Sequence, residues 1–125
     1  MVMSAVREAR RFVESVRDES GSYHVDRWPP TRRWLWTRGV GSAVARLRLG
    51  QRSTVGFLDP VDDALFLVAG LRRWGFPASF HLGRELVPSA PVAGFFAWVE
   101  HDGQVVSTSL PVRETYLEVH RSESR

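Results

Sequence analysis

The chain has 125 residues, 43% of them hydrophobic and 25% charged, which is typical of one globular domain. All 17 basic residues are arginine, and they lie along the whole chain from Arg7 to Arg125. No basic patch therefore indicates a nucleic-acid partner, despite a formal charge of +3. Cysteine is absent, which excludes disulfides, thiolate metal sites and any cysteine nucleophile.

Neither a secretion signal nor a membrane span is predicted. Charged residues run through positions 1–20, where a signal peptide would need an apolar stretch. No apolar run approaches the roughly 20 residues that cross a bilayer. We therefore expect a cytoplasmic protein with no membrane partner.

Residues 1–50 are predicted to form a helical part that carries arginine and tryptophan. Apolar residues recur at helical spacing over 4–19, which predicts an amphipathic helix. After a connector that contains Pro29-Pro30, Thr31 is placed to cap a second helix that runs to about Leu49. We expect the tryptophans here to pack into the core, although interleaved Arg and Trp can also form a platform for bases or a peptide.

The clearest predicted element is a helix over 58–75. Asp59 is a good N-cap, and Pro60 falls at the first helical position, where its missing N–H costs nothing. Two further aspartates complement the helix dipole, and Gly75 stands where a left-handed C-terminal residue is favoured.

The remaining chain is predicted to form an antiparallel sheet. A short strand is expected over 77–83, a proline-containing loop over 84–94, and two strands within 95–109 around an Asp-Gly turn. The polar tail, 111–125, is expected to fray. Helices followed by a small antiparallel sheet make an α+β plan.

Three segments resemble a known family. "ALFLVAGLRRWGFPASFHLG" (64–83), "AWVEHDGQVV" (97–106) and "PVRETYLEVH" (111–120) are similar to the leader peptidase family of lasso-peptide biosynthesis, whose members are transglutaminase-like. The resemblance implies a papain-type fold in which N-terminal helices pack on the sheet. It covers 55–118, the expected helix-plus-sheet core of a single domain, 1–125.

The resemblance also places the catalytic triad of the family on this sequence. The nucleophilic cysteine corresponds to Pro60, the histidine base to Phe96 and the orienting aspartate to Thr108. None of these residues performs the required chemistry, so we expect no cysteine peptidase activity. The former cleft is instead expected to bind a ligand, with Trp98 and Phe66 as further binding residues.

Acid–base chemistry without a nucleophile is the other option in the sequence. His81 lies on a predicted strand near the same cleft, and Asp63 is its candidate partner. Asp63 is equally explained as a first-turn residue that complements the helix dipole. The four histidines show no paired spacing, so neither a metal nor another cofactor is expected.

Two functional classes remain open. A non-catalytic protein that recognises a precursor, or holds a pathway intermediate, is favoured by the loss of all three triad residues. A repurposed enzyme would promote cyclisation, isomerisation or elimination through positioning and acid–base groups. In both cases we expect a small-molecule or peptide ligand from bacterial specialised-metabolite biosynthesis. A protein partner and the oligomeric state stay open.

Overall fold

The computed structural model describes residues 2–17, 23, 25, 27–32, 39–54, 59–86 and 95–122. In chain order the described elements are α1 (Val2–Val16), α2 (Val40–Thr54), α3 (Pro60–Arg73), β1 (Ala78–Glu85), β2 (Phe95–His101), β3 (Gln104–Val105), α4 (Val112–Thr115) and β4 (Tyr116–Arg121). Three long helices precede the sheet, which confirms the α+β plan. Within these ranges no helix combines the length and the apolar character needed to cross a membrane.

The three long helices pack together, and α3 also contacts β1 and β2. α1 buries one apolar stripe, as its spacing predicts: Ala5, Val6, Ala9, Val13 and Val16. The predicted helix from Thr31 is wrong at its start, because Thr31, Arg32 and Gly39 are not helical, and the backbone N–H of Arg32 donates to the carbonyl of Arg72 at 2.8 Å; residues 33–38 lie outside the described residues. α2 begins at Val40 instead. Trp34 and Trp36 lie outside the described residues.

α3 forms as its local sequence predicts. The Asp59 carboxylate accepts a hydrogen bond from the backbone N–H of Asp62 at 2.9 Å, and Pro60 is the first helical residue. Gly75 follows the helix with a φ of 97°, a conformation that glycine adopts without strain. Every residue from Ala64 to Arg72 is buried, so α3 is the central element of the core.

The sheet has four antiparallel strands in the order β3-β2-β1-β4. The predicted hairpin turn is present at Asp102 and Gly103, which have φ values of 53° and 77°. The expectation of a frayed tail is wrong for residues 116–121, which form β4 along β1. This pairing also carries β1 on to Glu85, two residues beyond its predicted end.

The two faces of the sheet have different surroundings, because successive side chains of a strand point to opposite sides. On one side, Ala78 and Phe80 of β1 and Ala97 and Val99 of β2 join the core with the helices. Their neighbours along both strands point away from the helices. We call this second side the open face.

A buried arginine joins three segments of the chain. Arg72 donates from Nε to the carbonyl of Ala78 at 2.9 Å and from Nη1 to the carbonyl of Pro29 at 2.9 Å. Its guanidinium carbon lies 5.9 Å from the centre of the Trp28 ring. Burial lowers the pKa of Arg72 from its usual value. These contacts hold the connector against the end of α3 and the start of β1.

Tyr23 of the connector contacts the start of α3, as Arg72 holds the connector against its end. Its hydroxyl donates to the Asp62 carboxylate at 2.6 Å, and Arg17 pairs with the same carboxylate at 3.0 Å. Burial, reinforced by the hydrogen bond and negative charge of Asp62, raises the pKa of Tyr23 above its ordinary value. The phenol is therefore held in its neutral form.

We predict that Tyr23→Phe destabilises the protein at neutral pH by about 1.5 kcal/mol, the contribution of a hydrogen bond to a charged group. Because the folded-state pKa is raised, this contribution is complete below the unfolded-state pKa of about 10 and is lost as the pH rises through the folded-state value. Urea unfolding of both proteins at pH 8 and pH 11 measures the difference. A difference that is unchanged at pH 11 would contradict the assignment.

Candidate functional site

Two cavities lie on opposite sides of the sheet, and each brings together residues that are distant in the sequence. The first, which we call the α3 cavity, has a volume of about 430 Å³ and lies beside the start of α3. Its lining is mostly apolar and comes from the connector, α3, β1 and β4: Tyr23, Val25, Trp28, Val61, Leu65, Phe80, Leu82 and His120. A ligand there would meet aromatic and aliphatic side chains and one imidazole.

Tyr23 and His120 are the titratable residues among those that line the α3 cavity. The Tyr23 hydroxyl is fixed by Asp62, as described above, so only its ring and its hydroxyl lone pairs are available to a ligand. His120 lies in the edge strand β4 and is exposed. Its ring is 6.4 Å from that of Phe80, which forms part of the cavity wall.

On the open face, three strands bring one imidazole and two carboxylates together. β1 provides His81, β2 provides Glu100 and β4 provides Glu118. The ligand atoms of these residues, one each, lie within 4.8 Å of one another. We call His81, Glu100 and Glu118 the open-face cluster.

His81 is buried and held on three sides. Its Nδ1 contacts the Glu118 carboxylate, and its Nε2 lies 2.7 Å from the hydroxyl oxygen of Ser79. Glu100 Oε2 is 3.6 Å from the same Nδ1. The imidazole stacks on the Trp98 indole, with ring centres 5.8 Å apart and planes 9° apart. Both ring nitrogens are therefore engaged within the protein.

Ser79, His81 and Glu118 occur in the order hydroxyl, imidazole, carboxylate, which is the order of a serine hydrolase relay. A nucleophile must also reach its substrate. Ser79 is buried, and it does not line the groove that opens beside the cluster. The arrangement consequently fixes the imidazole and offers no attacking group.

The remaining carboxylate oxygens are held by arginines and tryptophan. Glu100 accepts from Arg113 at 2.6 Å and from Trp98 Nε1 at 2.9 Å, while Glu118 pairs with Arg121 at 2.8 Å. Burial raises the pKa of Glu100, but the hydrogen bonds from Trp98 and Arg113 and the electrostatic influence of His81 and Arg113 outweigh it and leave the pKa below its usual value. Glu100 is thus held as a carboxylate.

Both carboxylates open onto a groove of about 380 Å³, which we call the open-face groove. Its walls combine apolar side chains with charges of both signs: Leu86, Trp98, Glu100, Arg113, Tyr116, Leu117, Glu118 and Arg121. The two arginine side chains are 55% and 69% exposed, and Arg113 also donates to the carbonyl of Gly103 at 2.7 Å.

The structure separates the predicted acid–base pair. Asp63 lies in the first turn of α3, where Arg48 pairs with its carboxylate and Gln51 donates to it at 3.0 Å. His81 faces the other side of the sheet and has Glu100 and Glu118 as its carboxylate neighbours. Strand alternation therefore directs His81 away from Asp63.

The predicted binding residues also lie in different places. Pro60 is exposed at the start of α3, whereas Phe96 points to the open face and stacks on Tyr116 with ring centres 5.5 Å apart. Thr108 accepts from the backbone N–H of Leu110 at 3.2 Å. None of the three predicted residues lines the α3 cavity or the open-face groove.

The two further predicted binding residues, Trp98 and Phe66, also lie in different surroundings. Trp98 lines the open-face groove and contributes to the cluster through its indole N–H. Phe66 is 1% exposed within α3 and belongs to the hydrophobic core. Sequence reasoning missed Glu118 and Arg113 because both follow the last predicted strand.

Comparison with protein-family models, with curated proteins and with solved structures finds no match. A function for this chain must therefore be argued from the chemistry and geometry of its own residues.

Gly83 has no side chain, which lets Trp98 and Tyr116 pack closely against β1 on the open face. A Cβ atom at this position would lie 2.7 Å from Trp98 Cζ3 and 2.7 Å from Tyr116 Cβ, closer than side chains approach one another. We predict that Gly83→Ala destabilises the protein by about 1–3 kcal/mol through overpacking. Urea unfolding measures the loss.

Gly41→Ala is the matched control, because a Cβ atom there has no neighbour within 4 Å. We expect this substitution in α2 to leave stability unchanged or raise it by up to about 1 kcal/mol. Equal effects of the two substitutions would show that close packing at Gly83 is unimportant.

Proposed function

We propose that this chain is a non-proteolytic binding protein that holds an apolar intermediate of bacterial specialised-metabolite biosynthesis in the α3 cavity. The observation that carries the proposal is this cavity of about 430 Å³ beside the start of α3. Its volume and its apolar lining with few polar groups are those of small-molecule sites. A hydrophobic peptide side chain or a compact non-polar metabolite fits this description.

The start of α3 supports a binding role in place of peptidase chemistry. The leader peptidase family, which parts of the sequence resemble, needs a cysteine at this helix end. The chain contains no cysteine, and Asp59 and Pro60 close the helix as a stable cap. We infer a transglutaminase-like frame, retained without its triad and acting in the cytoplasm.

The α3 cavity lies apart from the expected cleft. Val61 and Leu65 of α3 line the cavity with β1 and β4, whereas Phe96 of β2 faces away from it. The ligand therefore lies on the β4 side of α3. An exposed edge strand beside the cavity leaves room for ligands longer than the cavity itself.

We predict that apolar fragments bind in the α3 cavity and that Val61→Phe, which fills it, weakens this binding at least tenfold. The probes are N-acetyl-leucinamide, N-acetyl-tryptophanamide and naphthalene, titrated into ¹⁵N-labelled protein while amide chemical shifts are recorded. The shifts are expected at residues that line the cavity.

Val119→Phe is the control for this experiment, because Val119 is a valine that is 50% exposed in β4 and does not line the cavity. It should leave binding unchanged. Absence of shifts around the cavity, or equal binding by the Val61→Phe protein, contradicts the proposal. Cleavage of an added peptide by the purified protein would contradict its non-proteolytic part.

A repurposed enzyme is the second candidate, and His120 favours it. This exposed histidine lines an apolar cavity, so its imidazole is in reach of a bound ligand as an acid or base. His120→Gln distinguishes the two functions once a ligand is in hand. Conversion of the ligand that His120→Gln abolishes, with binding intact, would establish the enzyme.

A further inference from the structure

We propose that the open-face cluster is a binding site for a divalent transition-metal ion. His81 offers one imidazole nitrogen, and Glu100 and Glu118 each offer one carboxylate oxygen. One nitrogen and two oxygens form a ligand set that suits ions such as Zn²⁺, Co²⁺ and Mn²⁺. The site is separate from the α3 cavity and does not depend on the function proposed there.

A bound ion requires a small rearrangement of the two carboxylates. Two atoms bound to one ion at about 2.0–2.2 Å lie at most about 4.4 Å apart. The three ligand atoms lie within 4.8 Å of one another, so the widest separation has to close by a few tenths of an ångström, while the Glu118 oxygen, which contacts Nδ1 directly, has to move away to admit an ion. The Glu100 and Glu118 side chains are 15% and 27% exposed, and rotation about their terminal bonds supplies this movement.

The surroundings of the three ligands resemble the outer shell of a metal site. A metal-bound histidine keeps its ring orientation through a hydrogen bond at the second nitrogen, and here Ser79 lies 2.7 Å from Nε2. This leaves Nδ1 directed at the two carboxylates. Trp98 packs flat against the imidazole and prevents it from turning away.

The two arginines act as counter-ions that a metal can replace. Arg113 and Arg121 now balance the charges of Glu100 and Glu118. Both arginine side chains are more than half exposed, so each guanidinium can leave its carboxylate when a divalent ion takes over that charge, Arg113 keeping its contact with the Gly103 carbonyl. The described residues supply three protein ligands, and the remaining coordination positions would face the open-face groove.

Isothermal titration of the tag-free protein with Zn²⁺, Co²⁺ and Mn²⁺ tests the site, with Mg²⁺ as a comparison ion. We expect one equivalent of Zn²⁺ or Co²⁺ to bind, Mn²⁺ to bind more weakly, and Mg²⁺, which prefers oxygen ligands, to bind least. Failure of Zn²⁺ and Co²⁺ to bind at millimolar concentration overturns the proposal.

Variants locate the bound ion. Glu118→Gln keeps the shape of the side chain and should weaken binding at least tenfold, and Ser79→Ala should weaken it about 10- to 100-fold. His101→Gln, at a histidine outside the cluster, should bind as the wild type does. Equal affinity of wild type and Glu118→Gln would place the ion elsewhere and overturn the proposal.

The Arg121→Gln variant tests whether the cluster binds a metal ion or serves only as a network of ion pairs. Removal of a competing cation should strengthen metal binding several-fold if Glu118 is a ligand. Weaker binding by this variant would contradict the counter-ion role of Arg121. Because Arg121 is exposed, its substitution should leave the fold intact, which circular dichroism checks.

Discussion

The long helices cover only one face of the sheet, so side chains on the other face must bury one another. Trp98 and His81 are 1% and 3% exposed on this face, although neither points into the helical core. Gly83 lets Trp98 lie close to the backbone of β1, and the stacked imidazole covers part of the indole. Burial there brings polar ring nitrogens out of water, and each must find a partner.

The charged groups of the open face follow from this requirement. Glu100 accepts from the Trp98 indole, and Glu118 contacts the imidazole of His81. Two partly buried carboxylates need positive charge in turn, which Arg113 and Arg121 provide from the surface. A cluster that holds the packing together also presents carboxylate oxygens to a groove. The atoms that satisfy the packing are therefore also those of the proposed metal site.

Local signals predicted the elements whose ends are defined by their own residues. Asp59, Pro60 and Gly75 delimit α3, and the Asp102-Gly103 turn defines the hairpin. β4 was missed because it is a mainly exposed edge strand, stabilised by pairing with β1 that no local pattern reveals. The open-face cluster depends on that same pairing. His81 and Glu118 are 37 residues apart, so their proximity follows only from the strand order.

β1 connects both candidate sites through the alternation of its side chains. Phe80 and Leu82 line the α3 cavity, while Ser79 and His81 belong to the opposite face. A slip of one residue in the pairing of β1 would send each set to the other face. His81 would then meet the apolar core, and Leu82 would replace an imidazole among carboxylates. The register of β1 therefore has to be maintained for either site to exist, which makes its pairing with both neighbours a condition of function as well as of stability.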